Sequence, residues 1–247
     1  MNKVEKIYLL VTIDTECDHD PHWVRSKPLR FESINIGLPQ RLQPVFQSTG
    51  AIPTYLLTVE VMEDPSCVQT LRSLGGAHEF GTHLHSAFIE PEKKYLDYAG
   101  VDSPDFQCHC RPEIEFRKLE NLTNLFVACF GRRPKSFRAG RYGAGANTID
   151  ALSQLGYALD TSVTPYIRWE HADGDVDYRH APELRTGSTG VYAQHPVAWA
   201  GGTPRYFREI TSLHRHWRNS IATSRSGGRR NDRAAPPPPY DSSAKRV

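Results

Sequence analysis

The sequence predicts an α/β fold whose strands form a parallel sheet. Short apolar runs alternate along the chain with amphipathic helical segments, which is the pattern of consecutive βαβ units. Polar residues cluster where three of the apolar runs end, and that edge of a parallel sheet is the one that usually binds ligands. At 247 residues, the chain is long enough for one domain with a sizeable core.

The N-terminal half begins with the uninterrupted apolar run KIYLLVTI, which is typical of a strand buried on both faces. After a proline-bearing loop, apolar residues recur at helical spacing from Leu38 to Phe46. A second helix is expected where Asp64 can cap the first turn and Pro65 can occupy the first helical position. The predicted elements of this half are strands at 6–13, 52–58 and 77–82 and helices at 38–49 and 64–74.

The C-terminal half begins with a polar, proline-bearing stretch at 86–112, which is predicted to be a long loop. A strong helical pattern follows and stops before Pro134, and a shorter helix stops at Gly156, a residue suited to a C-terminal cap. One or two further strands are expected between His180 and Pro196. The predicted elements of this half are helices at 113–130 and 146–155 and strands at 135–138 and 157–163.

Three polar clusters follow predicted strands: Asp14 and Glu16 after the first, His83 and His85 after the third, and Arg138 at the end of the fourth. Because the carboxyl ends of parallel strands meet at one edge of the sheet, these side chains are expected to converge. Two imidazoles with carboxylates are a natural ligand set for zinc or another divalent transition metal. A further carboxylate nearby can act as a general base, and an adjacent arginine can keep that base ionised.

Five segments, in this order and with this spacing, resemble the motifs of the polysaccharide deacetylase family, also called the NodB-homology domain or carbohydrate esterase family 4. The resemblance covers roughly residues 5–165, in a subgroup with HxH in place of the more usual HxxxH. The segments are VTIDTE at 11–16, IPTYLLT at 52–58, HEFGTHLHS at 78–86, SFRAGRYG at 136–143 and LGYALDTSV at 155–163.

The resemblance implies a distorted, incomplete (β/α) barrel that hydrolyses N-acetyl groups on sugars or polysaccharide precursors. It also implies a divalent metal cofactor, zinc with cobalt or nickel as alternatives, and a carbohydrate substrate. Carried over residue by residue, it implies Asp14 as catalytic base, Glu16, His83 and His85 as metal ligands, Arg138 as the arginine that orients the base, and Tyr142 in the substrate cleft. The reverse assignment of Asp14 and Glu16 stays open.

The chain departs from the family's motifs at three points. Thr15 stands where a second acidic residue usually follows Asp14, and Ala87 stands where HxxxH spacing would place the second histidine. The late leucine–histidine motif that supplies a general acid has no clear counterpart; His195 and His180 are candidates, each more readily explained as structural. These departures leave two rivals open: a cyclic-amide hydrolase of the same superfamily and an inactive carbohydrate-binding relic.

Charge and composition restrict the partners and the location of the protein. A formal net charge of +2 does not suggest a nucleic-acid or membrane partner, and the first apolar run, 6–13, is too short to span a bilayer. We therefore expect a cytoplasmic protein, of undetermined oligomeric state. The catalytic domain is expected at 1–217, followed by a disordered Arg/Pro-rich tail at 218–247.

Overall fold

The central feature of the fold is a sheet of five parallel strands that follow one another in chain order. The computed structural model describes residues 10–22, 24–94, 106–171, 174–181, 184–185 and 192–193. The strands are β1 Thr12–Thr15, β2 Thr54–Leu57, β3 Glu79–Leu84, β4 Ser136–Ala139 and β5 Leu159–Asp160. Each of them overlaps one predicted strand, so the predicted α/β class with a parallel sheet is confirmed.

The sheet is strongly curved. On a flat sheet β1 and β4 would lie about 14 Å apart, at about 4.8 Å per strand. Nevertheless Arg138 of β4 donates a hydrogen bond of 2.8 Å to Asp14 of β1, so the sheet must curl and carry both side chains on its concave face. In the described part of the chain β1 pairs only with β2, and β5 only with β4. The barrel is therefore open, as expected for an incomplete (β/α) barrel.

Helices connect the strands and cover the convex face of the sheet. They are α1 Gln43–Thr49, α2 Val59–Glu63, α3 Pro65–Arg72, α4 Pro112–Phe130 and α5 Ala146–Gln154. Leu122 and Phe126 of α4 share one buried core with Leu84 and Phe137 of the strands. Because successive strand residues point to opposite faces, burying Phe137 against the helices turns its neighbour Arg138 toward the concave face.

The first helical segment begins earlier than the sequence predicts. A helix with π-type turns at Ser33–Leu42 runs directly into α1, so helical structure starts at Ser33 rather than at residue 38. The carboxylate of Asp18 accepts hydrogen bonds from the backbone N–H groups of Glu32 at 2.7 Å and Ser33 at 3.0 Å. These bonds satisfy free donors at the start of the helix, and no local pattern reveals a cap that lies so far back along the chain.

Both predicted helix caps are confirmed. Asp64 caps α3 by accepting a hydrogen bond of 2.9 Å from the backbone N–H of Cys67. Gly156 adopts a left-handed φ of 81° just beyond α5, as a C-terminal cap requires. The five cysteines of the chain are all free.

The structure also contains elements that were not predicted from the sequence, and one predicted strand is shorter than expected. The short helix α2 was not predicted, and neither was the antiparallel hairpin of β6 Arg168–His171 and β7 Gly174–Asp177. The predicted strand 157–163 is reduced to β5. Two short strands, β8 Leu184–Arg185 and β9 Tyr192–Ala193, lie in the stretch where one or two were expected.

Some predictions concern parts of the chain that the structure does not describe. His195 and the predicted tail lie outside the described residues, as does the middle of the predicted loop 86–112. On either side of that gap, single 3-10 turns occur at Ser86–Phe88 and Gln107–His109. None of the described helices has the length and apolar character needed to cross a bilayer.

Candidate metal centre

Three predicted ligands lie together at the carboxyl ends of β1 and β3. Glu16 directly follows β1, His83 lies in β3, and His85 follows it by two residues. The Nε2 atom of His83 is 3.4 Å from Glu16 Oε1, and the Nε2 atom of His85 is 3.6 Å from Glu16 Oε2. One ligand atom from each residue lies within 4.8 Å of the other two, and no second such group occurs among the described residues.

Strand geometry explains why these particular residues meet. His83 and His85 are two residues apart, so they point to the same face of β3, while Leu84 between them is fully buried in the core. Their rings pack edge to face, with centroids 4.8 Å apart. Just beyond His85, the buried ammonium of Lys118 in α4 donates to the backbone oxygens of Ser86 at 2.8 Å and Ile89 at 2.7 Å. The end of β3 is therefore held firmly against α4.

The hydrogen bonds of His83 show that this group fits a cation. Its Nδ1 atom lies 3.0 Å from the backbone oxygen of Arg138, which can only accept, so Nδ1 carries the hydrogen. In a neutral ring Nε2 is then an acceptor, yet it faces the carboxylate of Glu16. Two acceptors in this position require a shared cation, either a proton or a metal ion. A backbone partner on the second ring nitrogen is also the usual arrangement for a metal-binding histidine.

His85 leads to the same conclusion. Both of its ring nitrogens are buried, and neither has a hydrogen-bond partner in the part of the chain that the structure describes. Unpartnered buried polar atoms are costly, and a metal ion would satisfy Nε2. Two imidazoles and one carboxylate, with further positions open, match a catalytic zinc site better than a closed structural one. The donor set therefore fits the predicted zinc, and cobalt or nickel equally well.

The ionisation of the group also favours cation binding. Burial alone raises the pKa of the Glu16 carboxyl, but the neighbouring imidazoles of His83 and His85 outweigh burial and hold that pKa well below its usual range. Burial lowers the pKa of His83, but the hydrogen bond to Glu16 and the charge of Asp14 outweigh it and raise that pKa overall. Glu16 is therefore ionised, and the ionised carboxylate is the form that binds a metal cation.

Arg25 also contacts the metal group, and the sequence did not point to it. Its guanidinium donates from Nη2 to Glu16 Oε2 at 3.3 Å and lies 5.1 Å above the ring of Phe88. The loop after β1 turns back on itself to bring it there, because the backbones of His19 and Arg25 pair and Asp20 closes the turn between them. A single arginine in a proline-bearing loop has no pattern that could have identified it.

Asp14 lies beside this group and has a different partner. Arg138 donates from Nη1 to Asp14 Oδ1 at 2.8 Å, and the other donors of its guanidinium bind Thr12 Oγ1 at 2.5 Å and Thr161 Oγ1 at 3.1 Å. The guanidinium is therefore fixed from three sides. The side chain of Asp14 is 31% exposed, so it can reach a molecule bound in solvent-accessible space.

Asp160 lies behind this pair, and the sequence interpretation gave it no role. It is fully buried on β5, and burial raises its pKa to about 6. Ser162 donates to it through its backbone N–H at 3.1 Å and through its hydroxyl. The charge of Arg138 lowers the pKa of Asp160, in the opposite sense to burial. Arg138 therefore interacts with two acidic groups, Asp14 and Asp160.

An open cleft of about 540 Å³ lies in front of Asp14 and Glu16. It is lined by Asp14, Glu16, Cys17, Asp18, His19, Glu32 and Ser33. Four of these seven lining residues are acidic, and the cleft exposes both Asp14 and the carboxylate of the metal group.

Tyr142, the predicted substrate-binding residue, is not part of the lining formed by the described residues. Its ring lies 5.7 Å from the guanidinium of Arg138 and stacks on Trp169, with centroids 5.0 Å apart and an interplanar angle of 12°. His180, one of the two candidates for a general acid, lies in the exposed turn after β7.

Comparisons with known proteins give a limited likeness. No family model matches the sequence, and no curated protein matches it. Similar solved structures include the Streptococcus pyogenes deacetylase PplD in complex with acetate, the Bacillus subtilis peptidoglycan deacetylase PdaC and the family 4 carbohydrate esterase from Streptomyces lividans in complex with acetate. Their identities are 8%, 11% and 13%, with TM-scores of 0.39, 0.37 and 0.39. They align with 63%, 60% and 64% of this chain, which spans only 54%, 55% and 64% of theirs.

Proposed function

We propose that the protein is a metal-dependent hydrolase that removes N-acetyl groups from a sugar or a polysaccharide precursor. One observation carries the proposal: the group Glu16–His83–His85 lies beside a carboxylate, Asp14, that an arginine holds at the rim of an open cleft. The motif resemblance of the sequence indicates the substrate class. The geometry supports the reaction type, because amide hydrolysis needs an activated water, a polarised carbonyl and a base.

The metal would be held by Glu16, His83 and His85, with zinc as the first candidate and cobalt or nickel as alternatives. When bound, a divalent ion supplies a Lewis acid that polarises the acetyl carbonyl and lowers the pKa of a water molecule. Arg25 and the backbone carbonyl of Arg138 orient two of the ligands, which fixes the direction of their lone pairs.

Asp14 is the group placed to take the proton from the attacking water. It lines the cleft, and it remains available because its partner Arg138 contacts only Oδ1 among the hydrogen bonds described. The guanidinium at 2.8 Å fixes the position of the carboxylate, and a general base must be held within reach of the proton that it takes. The bonds from Arg138 to Thr12 and Thr161 hold the arginine, and through it the base, in one orientation.

Acetate release tests the proposal directly. The protein is purified, its zinc, cobalt and nickel content is measured, and chito-oligosaccharides and a panel of cyclic amides are offered with each metal. We expect acetate from the N-acetyl sugars, loss of activity with a chelator, and restoration by the divalent ion. His83→Ala should lose both metal and activity, whereas His180→Ala, which changes an exposed histidine, should keep both.

Two outcomes would overturn the proposal. Turnover of the cyclic amides alone would favour the rival hydrolase of the same superfamily. A protein that retains no divalent metal, and in which His83→Ala changes nothing, would favour a carbohydrate-binding relic. The cytoplasmic location, the catalytic domain at 1–217 and the disordered tail at 218–247 stay predictions.

A further inference from the structure

The proposed reaction lacks a proton donor. An amine is a poor leaving group unless its nitrogen is protonated as the carbon–nitrogen bond breaks, and general acids supply that proton in hydrolases. The sequence offered His195, which lies outside the described residues, and His180, which lies in an exposed turn and is not in the described lining of the cleft. A proton donor for the leaving amine is therefore expected in the lining of the cleft itself.

Among the described residues that line the cleft, His19 is the one histidine, and histidine is the side chain that most often acts as a general acid. Its Nε2 atom lies 4.0 Å from Glu16 Oε2, so it borders the metal group directly. It does not belong to that group, because Glu16, His83 and His85 are the residues whose ligand atoms all lie within 4.8 Å of one another. His19 therefore lies beside the ligands and lines the cleft in front of them.

The position of His19 is well defined. Its backbone pairs with that of Arg25, whose guanidinium binds the same Glu16 oxygen that His19 borders. The two carboxylate oxygens of Asp18, the preceding residue, bind the backbone at the start of the helix at Ser33–Leu42. The side chain of His19 is 14% exposed, so it is largely enclosed but accessible from the cleft. Along the chain, Asp14 precedes the ligand Glu16 and His19 follows it.

We infer that His19 is the catalytic proton donor to the leaving amine, an inference that rests on the proposed deacetylation. Water adds to the acetyl carbon and gives one proton to Asp14. The carbon–nitrogen bond then breaks, and its electron pair goes to the nitrogen, which takes a proton from Nε2 of His19. The products are the free amino sugar and acetic acid. Asp14 returns its proton to solvent, and His19 regains one from solvent.

Comparing two substrates with different leaving groups on the same variant tests this role, because a folding defect would lower the hydrolysis of both. A chito-oligosaccharide has an amine leaving group that needs a proton, whereas 4-nitrophenyl acetate has a phenolate that leaves without one. His19→Gln, which keeps polarity and size, should lower kcat for the oligosaccharide by about 10²- to 10⁴-fold, the usual contribution of a general acid. Hydrolysis of 4-nitrophenyl acetate and the metal content should change little.

His22→Gln is the matched control, because His22 is an exposed histidine of the same loop, and it should behave like the wild type on both substrates. Equal losses of His19→Gln on both substrates, with the metal retained, would overturn the inference and leave the proposed function standing. Loss of the metal from His19→Gln would overturn it too, since His19 would then be a ligand. A wild-type protein that hydrolyses neither substrate would overturn the proposed function and this inference with it.

Discussion

Two glutamates of this protein, one half-buried and one fully buried, respond to burial in opposite ways. Glu16, beside the proposed metal position, has a pKa held well below its usual range by His83 and His85 in spite of burial. Glu115 of α4 is fully buried and accepts hydrogen bonds from the neutral side chains of Gln107, at 3.2 Å, and Thr148. Burial dominates there and raises the pKa of Glu115 to about 7.

The difference teaches that burial of an acidic residue does not by itself indicate a functional site. The neutral hydrogen-bond partners of Glu115 only partly offset the effect of burial on its pKa, which suits a structural carboxyl inside a domain. Two imidazoles and a guanidinium around Glu16 stabilise an anion, and the cleft gives it access to solvent. The partners of a carboxylate, and the space in front of it, therefore decide what the carboxylate can do.

The largest expected effect comes from the same substitution at both positions. Glu16→Gln should lower the affinity for zinc by at least about 100-fold and abolish hydrolysis, because loss of an outer partner of a ligand alone costs about 10- to 100-fold. Glu115→Gln should change neither. A chelator titration of each purified variant measures the affinity, and equal zinc affinity of Glu16→Gln and the wild type would remove Glu16 from the ligand set.

Asp14 separates the roles of binding metal and moving protons. Asp14→Asn should lower kcat by about 10²- to 10⁴-fold while the metal content is unchanged, because the amide cannot take a proton from water. Glu32→Gln neutralises another carboxylate of the cleft and should cost far less. Loss of metal from Asp14→Asn, with metal retained by Glu16→Gln, would show that the two acids have the reverse assignment.

Glu115 should make the stability of the protein fall as pH rises. Its pKa is about 7 in the folded protein, above the ordinary 4.5, so the folded state binds more protons between these values. The stabilisation is complete below about pH 4.5 and is lost as pH rises through about 7, by up to about 3 kcal/mol. Urea unfolding of wild type and Glu115→Gln between pH 5 and 8, with chelator present, measures this slope. Identical slopes for the two proteins would contradict the assignment.

The smallest effect is expected at Arg138. Arg138→Lys keeps the positive charge beside Asp14 but cannot donate to Asp14, Thr12 and Thr161 together, so kcat should fall by about tenfold with the metal retained. Arg117→Lys, at an exposed position of α4, is the matched control. Steady-state kinetics with metal analysis test this, and wild-type kcat in Arg138→Lys would show that charge alone orients the base.

Much of the fold could be predicted because its signals are local. Apolar runs, helical spacing and the cap at Asp64 are properties of neighbouring residues, and they located all five strands of the sheet and the long helix α4. The helix start at Ser33 depends on Asp18, and β5 is short because only Leu159 and Asp160 pair with β4. These features depend on contacts between distant parts of the chain, and local patterns carry no record of them.

The sequence by itself determined where the strands lie along the chain and which polar residues lie at their carboxyl ends, including Asp14, Glu16, His83, His85 and Arg138. The tertiary structure decided how these residues are paired. Curvature of the sheet brings Arg138 of β4 to Asp14 of β1, which leaves Glu16 to face the two histidines. The loop after β1 adds Arg25 and His19 to the same place. The physical reason is that spacing along a strand sets only the face on which a side chain lies, whereas its partner depends on how the sheet curls and the loops return.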